Sequence, residues 1–216
     1  MKKLLLMSIL SAMFINQTQA QEYPRWTFGP KAGMNLSSIV ATELMTPSTR
    51  VGFTAGMFAE YHINDWMGIS IEALYSEKGA KTTFDEEIPA DYIADYSYVE
   101  SENKFLLNYI NVPIMAHFYV AEGLSLNVGF QTGFKVQAKF ENEGDADSPA
   151  STVSMWDDVR PVDLAIPMGM SYTFRCGLML DARYEISVNS IMKKDQYLTY
   201  MKGTNSSFSI TAGWRF

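Results

Sequence analysis

The sequence has little cysteine and little histidine, which restricts the chemistry open to it. Cys176 is the single cysteine, so the chain has no internal disulfide. The two histidines, His62 and His117, lack an identified third metal ligand. Both fall at the short-turn ends of predicted strands, where we interpret them as polar residues at a rim. We therefore predict no metal, no cofactor and no catalytic residues.

Long apolar runs are also missing. No segment after the N-terminus has about 20 continuous apolar residues, so no transmembrane helix is predicted. The N-terminus itself has Lys2 and Lys3, then an apolar stretch at 4–15, then small residues at the spacing that a signal peptidase needs before Gln21. We predict a cleaved signal peptide over residues 1–20, followed by one domain over 21–216.

Basic residues are in deficit. The formal net charge is −7, and removing Lys2 and Lys3 with the signal peptide changes it to −9. A nucleic-acid-binding protein needs a basic face. Nucleic acid is therefore excluded as a partner.

What the sequence does contain is strict alternation, and Ser206–Phe216 shows it best. Apolar and polar residues alternate with period two, which predicts a β-strand with one apolar and one polar face. The apolar set is Phe208, Ile210, Ala212, Trp214 and Phe216, and the polar set is Ser207, Ser209, Thr211, Gly213 and Arg215. An alternating strand that finishes on an aromatic residue is typical of the closing strand of an outer-membrane β-barrel.

The same alternation recurs along the chain and predicts eight strands. The predicted strands are Trp26–Leu36, Val51–Ile63, Trp66–Lys81, Lys104–Val120, Leu124–Phe140, Val162–Phe174, Leu178–Ser187 and Ser206–Phe216. The connections alternate between long and short, so we assign the short turns to the periplasm and the long loops to the outside. We predict an all-β, eight-stranded, antiparallel up-and-down transmembrane β-barrel in the outer membrane.

Aromatic residues cluster towards one end of the predicted strands. Those on the short-turn side are Trp26, Tyr61, Trp66, Phe118, Tyr172, Phe174, Trp214 and Phe216. A girdle of aromatic side chains at the membrane interface requires this placement, whereas a water-soluble barrel does not.

The predicted long loops differ in charge. Thr82–Asn103 and Glu141–Asp158 are acidic, and Asn189–Asn205 is basic and polar. The first acidic loop also carries Tyr92, Tyr96 and Tyr98, which are candidate contact residues because tyrosine is favoured at protein interfaces. Packing of these tyrosines on neighbouring loops is the alternative.

Calcium binding was considered for the second acidic loop. Asp145 and Asp147 alternate, but the loop lacks the spacing of an EF-hand. We interpret it as a solvated, charged loop.

The polar faces of the predicted strands carry charges that would be enclosed in the lumen. We predict a structural charge network, with Arg183 at its centre, because enclosed charges are costly unless paired. Its members are Lys31, Glu60, Glu72, Asp181, Arg183, Glu185 and Arg215. Larger side chains on the same faces should fill the remaining space, and these are Phe58, Leu74, Met115 and Met179.

Taken in order, the motifs of the chain resemble one family of barrels. They are GPKAGMNLS, GFTAGMFAEY, ISIEALYSEKGAK, NYINVPIMAHFY, GLSLNVGFQTGF, DLAIPMGMSYTF, LMLDARYEIS and SITAGWRF. The chain resembles the outer-membrane β-barrel family of Bacteroidetes that includes the PorT-like proteins. The resemblance covers nearly the whole mature chain, with Asn111 where the family more often has glutamate. It implies a barrel and gives no catalytic residues to carry over, and some relatives take part in secretion or gliding machinery.

Three functions were compared. The first is a non-enzymatic, monomeric outer-membrane protein with a structural or binding role, such as an accessory of a secretion or surface-assembly system. It would contact outer-membrane lipid, and protein partners through its extracellular loops or periplasmic turns. The second is an outer-membrane lipid or peptide hydrolase. The third is a soluble periplasmic lipid carrier of the lipocalin type. The aromatic girdle favours the first.

Overall fold

The computed structural model describes residues 25–41, 47–83, 102–142, 150–192 and 203–216. The predicted signal peptide at 1–20 lies outside the described residues. The strands are β1 Trp26–Ala41, β2 Pro47–Asn64, β3 Met67–Thr83, β4 Glu102–Ala121, β5 Leu124–Asn142, β6 Ser151–Ser154, β7 Val162–Thr173, β8 Leu178–Ser187 and β9 Gly203–Trp214. Within the described parts of the chain, no helix is long and apolar enough to span a membrane.

Eight of these strands form a closed antiparallel ring. Pairing runs in the order β4–β3–β2–β1–β9–β8–β7–β5, and β4 pairs with β5 to complete the circle. At the junction of the first and last strands, Ala32 lies opposite Ala212. The predicted fold class is therefore confirmed. The short strand β6 stands outside the ring and pairs only with β5 among the described strands.

The two faces of each strand point in opposite directions, with the polar face inside. Inward residues are buried, and outward apolar residues are exposed, as with Phe130 at 76% and Trp26 at 62%. A continuous exposed apolar surface of this kind suits hydrocarbon rather than water. A lipid carrier requires the reverse, with apolar side chains lining the interior. The lipocalin alternative is therefore wrong for this chain.

Three tight turns lie at one end of the barrel, together with the start of β1 and the end of β9. We call this end the short-turn end. Gly123 and Gly177 have φ angles of +76° and +91°, a region that other residues rarely adopt. The aromatic girdle predicted for this end is present as ring pairs. Their centroids are 4.9 Å apart for Trp26–Tyr61, 6.3 Å for Trp66–Phe118, 4.8 Å for Tyr172–Phe174 and 6.1 Å for Phe28–Phe216.

At the opposite, long-loop end, several strands are longer than predicted. Thr83 and Glu102 are cross-strand partners, although both were assigned to the loop at 82–103. The predicted loop at 37–50 is shorter in the same way, because β1 continues to Ala41 and β2 begins at Pro47. Residues such as Lys81 and Asn103 give no apolar alternation, yet the backbone hydrogen-bond ladder continues through them.

These longer strands form a sheet that extends above the apolar band. On β3, β4 and β5 the outward residues become polar at Glu77, Asn108 and Gln137, which are neighbours in register. The strands then run on for about six residues, or about 20 Å. We call this region, together with β6, the projecting sheet. By contrast, β8 ends at Ser187, directly after the outward apolar Ile186.

The mouth beneath the projecting sheet is covered by residues 155–161 and 188–192, which we call the outer cap. Assigning 141–158 wholly to a solvated loop was therefore wrong, because this stretch contains β6 and part of the cap. A small apolar cluster holds the cap on the barrel wall, and its buried members are Leu107, Tyr109, Ala138, Val159 and Ile191. The cap backbone is also bonded, with Arg160 N donating to Ile191 O at 2.8 Å.

Candidate functional site: the ion-paired lumen

The centre of the lumen is an ion pair between Arg183 on β8 and Glu72 on β3. Arg183 Nη1 and Nη2 donate to the two carboxylate oxygens of Glu72 at 3.0 and 2.9 Å. Arg183 Nη2 also lies 3.5 Å from Asp181 Oδ2. The planar guanidinium matches a carboxylate with two parallel hydrogen bonds, so the pair fixes orientation as well as charge.

Lys31 on β1 completes this central cluster. Its Nζ lies 3.5 Å from Glu72 Oε1 and 3.2 Å from Asp181 Oδ1. Each of the two carboxylates therefore contacts both cations, and all four side chains are at most 3% exposed. A closed group of two cations and two anions leaves no net charge in this part of the lumen.

A second group lies nearer the long-loop end and includes a residue that sequence reasoning missed. Lys78 Nζ on β3 donates to Glu185 Oε2 on β8 at 2.6 Å. Glu185 also accepts hydrogen bonds from Gln131 at 2.9 Å and Ser207 at 3.3 Å. The signal for Lys78 was available, because it continues the inward parity of Glu72 and Ser76 along the same strand. Lys78 lies within the predicted strand, which ends at Lys81, but the predicted set of inward residues stops at Ser76.

A third group lies at the short-turn end. Arg215 Nη2 donates to Glu60 Oε2 at 2.5 Å. The hydroxyl of Tyr119 also donates to Glu60, and it lies 3.2 Å from His62 Nε2. The rings of His62 and Tyr119 stack with centroids 5.4 Å apart. This group closes the mouth at the short-turn end with hydrogen-bonded side chains.

The structure thus distributes the seven predicted network residues over three groups. Lys31, Glu72, Asp181 and Arg183 contact one another, whereas Glu60 pairs with Arg215. Glu185 makes no hydrogen bond to Arg183 and pairs with Lys78 instead. With Lys78 included, these groups contain four cations and four carboxylates.

The space between the charged groups is filled. Phe58, Leu74 and Met179 are each 4% exposed and Met115 is fully buried. Beside Arg183, a cavity leaves about 10 Å³ for the centre of a water molecule, which is room for one water. This part of the lumen is a packed interior with no continuous channel.

One buried serine–histidine pair was examined for hydrolase chemistry. Ser70 Oγ lies 2.7 Å from His117 Nε2, and both residues are buried within the lumen. His117 Nδ1 has no hydrogen-bond partner among the described residues, so no acid orients the ring. The two histidines lie on β2 and β4, each opposite Gly68 on β3.

Other candidate sites fall partly outside the described residues. Tyr92, Tyr96 and Tyr98 do so, as do Asp145 and Asp147 of the second acidic loop. Within the described ranges, no three residues among histidine, cysteine, aspartate and glutamate form a group that could hold a metal ion. Cys176 is exposed in the turn between β7 and β8.

Comparison with known proteins agrees with this architecture. The family model described as "Outer membrane protein beta-barrel domain" matches residues 17–193. A search of curated proteins finds no match. The structure of Ail, the attachment invasion locus protein of Yersinia pestis, in complex with the heparin analogue sucrose octasulfate is 16% identical. Its TM-score is 0.50, and the match covers 89% of this chain and 100% of that one.

Two further solved barrels are similar at lower scores. Neisserial surface protein A is 13% identical over 91% of this chain and 100% of that one, with a TM-score of 0.47. OprG from Pseudomonas aeruginosa is 11% identical over 92% of this chain and 99% of that one, with a TM-score of 0.41. At these identities the likenesses describe the fold and carry no information on activity.

Proposed function

The chain belongs to the outer membrane protein β-barrel domain family, and from this premise we propose that it is a non-enzymatic surface protein of the outer membrane. In this proposal the barrel is a closed, rigid anchor. The projecting sheet presents the connecting segments 84–101 and 143–149 outside the cell. The predicted signal peptide over residues 1–20 directs export, and the mature protein begins at Gln21. Sequencing the N-terminus of the protein purified from outer membranes tests that part.

The projecting sheet is the observation that carries the proposal. It rises about 20 Å beyond the last apolar row, which is more than membrane anchoring requires. Side chains fasten its base, where Asn108 Nδ2 donates to the Tyr75 hydroxyl at 2.7 Å and to Gln137 Oε1 at 3.0 Å. A fixed platform holds connected segments in one orientation, which lowers the entropic cost of binding.

The charge of those segments suggests the kind of partner. The stretches 84–101 and 143–149 carry acidic residues in excess, so complementarity favours a partner with a basic surface. The Ail structure holds a polyanion, but an acidic surface disfavours a ligand of that charge here. Tyr92, Tyr96 and Tyr98 are the side chains that we propose for the contact.

A narrower assignment is also proposed. The order of motifs resembles that of the PorT-like barrels of Bacteroidetes. An accessory role in secretion or surface assembly would use a stable barrel of this kind that conducts no ions. Loss of a secreted surface protein from cells that lack this chain would support that role. Unchanged secretion would restrict the proposal to binding at the surface.

The test is crosslinking on intact cells with a membrane-impermeant reagent, followed by purification of the barrel. The parent is compared with a variant in which Tyr92, Tyr96 and Tyr98 are changed to serine, and with a matched control that changes the lipid-facing Tyr184 to serine. We expect the tyrosine variant to lose a crosslinked product that the parent and control retain. Equal crosslinking in all three would overturn the contact assignment. Lipid or peptide hydrolysis that disappears in Ser70→Ala would support the hydrolase alternative.

A further inference from the structure

We propose that a buried cluster of polar side chains beside Gly133, in the half of the lumen nearer the long-loop end, binds a hard metal cation. The ligands are oxygens of Asp163, Asn111 and Asn205. The site is separate from the three ion-pair groups, and it does not depend on the proposed surface role.

The cluster surrounds a strand position in the lumen that has no side chain. Gly133 on β5 lies opposite Asn111 on β4 and opposite Asp163 on β7. A carbon at the Cβ position of Gly133 would lie 2.6 Å from Asn111 Oδ1 and 3.5 Å from Asp163 Cβ. The side chains of Asn111 and Asp163 therefore border the same position, where an added methyl group would displace the amide of Asn111.

Asp163 differs from the other carboxylates of the lumen. Glu60, Glu72, Asp181 and Glu185 each form an ion pair, whereas Asp163 forms none with the described residues. Its Oδ2 accepts from Ser187 Oγ at 2.9 Å and from Asn205 Nδ2 at 3.3 Å, while Oδ1 has no partner among these residues. Asp163 is only 4% exposed, and an enclosed carboxylate without a counter-charge is costly.

The closest ammonium along β5 is directed elsewhere. Lys135 lies two residues beyond Gly133 and also points inward. Its Nζ donates to Val159 O at 2.7 Å and to Trp156 O, and it lies 4.3 Å from the centroid of the Trp156 ring. These contacts hold Lys135 against the outer cap. None of these contacts is with Asp163.

The neighbouring amides supply the remaining oxygens. Asn111 is 1% exposed, and neither end of its amide has a hydrogen-bond partner in the described parts of the chain. Asn205 donates through Nδ2, and its Oδ1 is likewise without a partner there. One carboxylate with neutral amide oxygens is the ligand chemistry of hard cations such as Ca²⁺. With a single charged ligand, the affinity should be in the weak range, at about 10⁻⁴ to 10⁻³ M.

Terbium luminescence tests the site, because Tb³⁺ replaces Ca²⁺ and is excited through nearby tyrosines. Tyr109 lies close to Asp163 and Asn205 and supplies that tyrosine. Purified full-length barrel is titrated with Tb³⁺ and then with competing Ca²⁺. We expect the Ca²⁺-sensitive luminescence to weaken at least tenfold in Asp163→Asn and in Gly133→Ala, whose added methyl group would displace the amide of Asn111. Asp157→Asn, in an exposed turn, should leave it unchanged.

Thermal stability provides a second measurement on the same variants. The temperature at which the folded barrel changes its migration on a detergent gel is compared in CaCl₂ and in choline chloride of equal ionic strength. Calcium should raise this temperature for the parent and for Asp157→Asn, and should leave Asp163→Asn unaffected. Identical terbium titrations for parent and Asp163→Asn, or no calcium effect on the parent, would show that this cluster binds no cation and would overturn the proposal.

Discussion

Arg183 and Glu72 bond across the barrel rather than between adjacent strands. They lie on β8 and β3, which are separated in the ring by β9, β1 and β2. Two hydrogen bonds of 2.9 and 3.0 Å join them, although 111 residues separate them in the chain. Backbone ladders connect only neighbouring strands, so this pair is a direct link between distant parts of the barrel wall.

The first prediction is that Arg183→Leu lowers the stability of the barrel. The change leaves Glu72 and Asp181 with Lys31 as their single cation, so two buried carboxylates share one charge. Removing one member of a buried ion pair costs about 3–5 kcal/mol, and the remaining contacts of Lys31 should reduce that loss. The measurement is the temperature of the migration shift on a detergent gel, which we expect to fall clearly.

The control for this experiment is Arg175→Leu. Arg175 also bonds a glutamate, Glu122, at 2.8 Å, but both side chains are largely exposed in turns at the short-turn end. Exposed ion pairs contribute little to stability. Arg175→Leu should therefore behave as the parent does. Equal midpoints for both variants would mean that Arg183 is solvated and that the central cluster has no structural role.

The second prediction is that Lys78 and Glu185 are energetically coupled. Lys78→Met alone leaves Glu185 buried with only Gln131 and Ser207 as partners, so it should destabilise strongly. Adding Glu185→Gln to Lys78→Met removes the stranded charge and should recover part of the loss. We expect a coupling energy of about 1–3 kcal/mol from a double-mutant cycle, measured by unfolding in urea from detergent micelles. Strict additivity of the two changes would argue against the pair.

The third prediction concerns the connection between β3 and β4. Because Thr83 and Glu102 are cross-strand partners, their backbones lie side by side, and a short linker can join them. Replacing residues 86–101 by a short glycine–serine linker should leave a folded, membrane-inserted barrel with the same gel shift as the parent. A variant that fails to insert would show that this segment is needed to form the barrel.

The sequence alone was sufficient to predict the membrane-spanning part of this fold. There, one face of each strand meets hydrocarbon, so apolar residues such as Ile110 and Ile114 must alternate with lumenal ones such as Asn111. Above the membrane this requirement ends. Strand extensions such as Thr82–Thr83 are held by backbone pairing, which residue type reports only weakly, so their ends could not be predicted.

The lumen was predictable in composition but not in pairing. Inward parity identifies which charged residues are enclosed, and it placed Arg183 and Glu72 together in one interior. It contains no information on height in the barrel, because that depends on the stagger between strands. For this reason Glu185 was grouped with Arg183, whereas its partner is Lys78. The outer cap escaped prediction because Val159 and Ile191 lie in short stretches whose apolar residues follow no regular period.

The fourth prediction tests that cap. Val159 is 1% exposed within the apolar cluster, so Val159→Asn places a polar amide there without an evident partner. Such a change costs about 1–3 kcal/mol, which should open the cap without unfolding the barrel. Digestion of intact cells with proteinase K should cleave the variant near residues 150–161 faster than the parent. Val153→Asn, at a position that is 57% exposed, is the matched control and should be cleaved at the parental rate.

The fifth prediction is that the purified protein conducts no ions. Eight strands enclose a lumen that side chains can fill, and here the outer cap, the neighbouring groups around Arg183 and Lys78, and the group around Glu60 close it at three levels. Opening the cap with Val159→Asn leaves the two lower barriers in place, so this variant should conduct no ions either. Planar bilayer recordings test both proteins, with a 16-stranded porin as the positive control. Stable conductance steps from the parent would mean that the lumen is not packed. Steps from Val159→Asn alone would mean that the cap is the true barrier and that the charged groups beneath it admit water and ions.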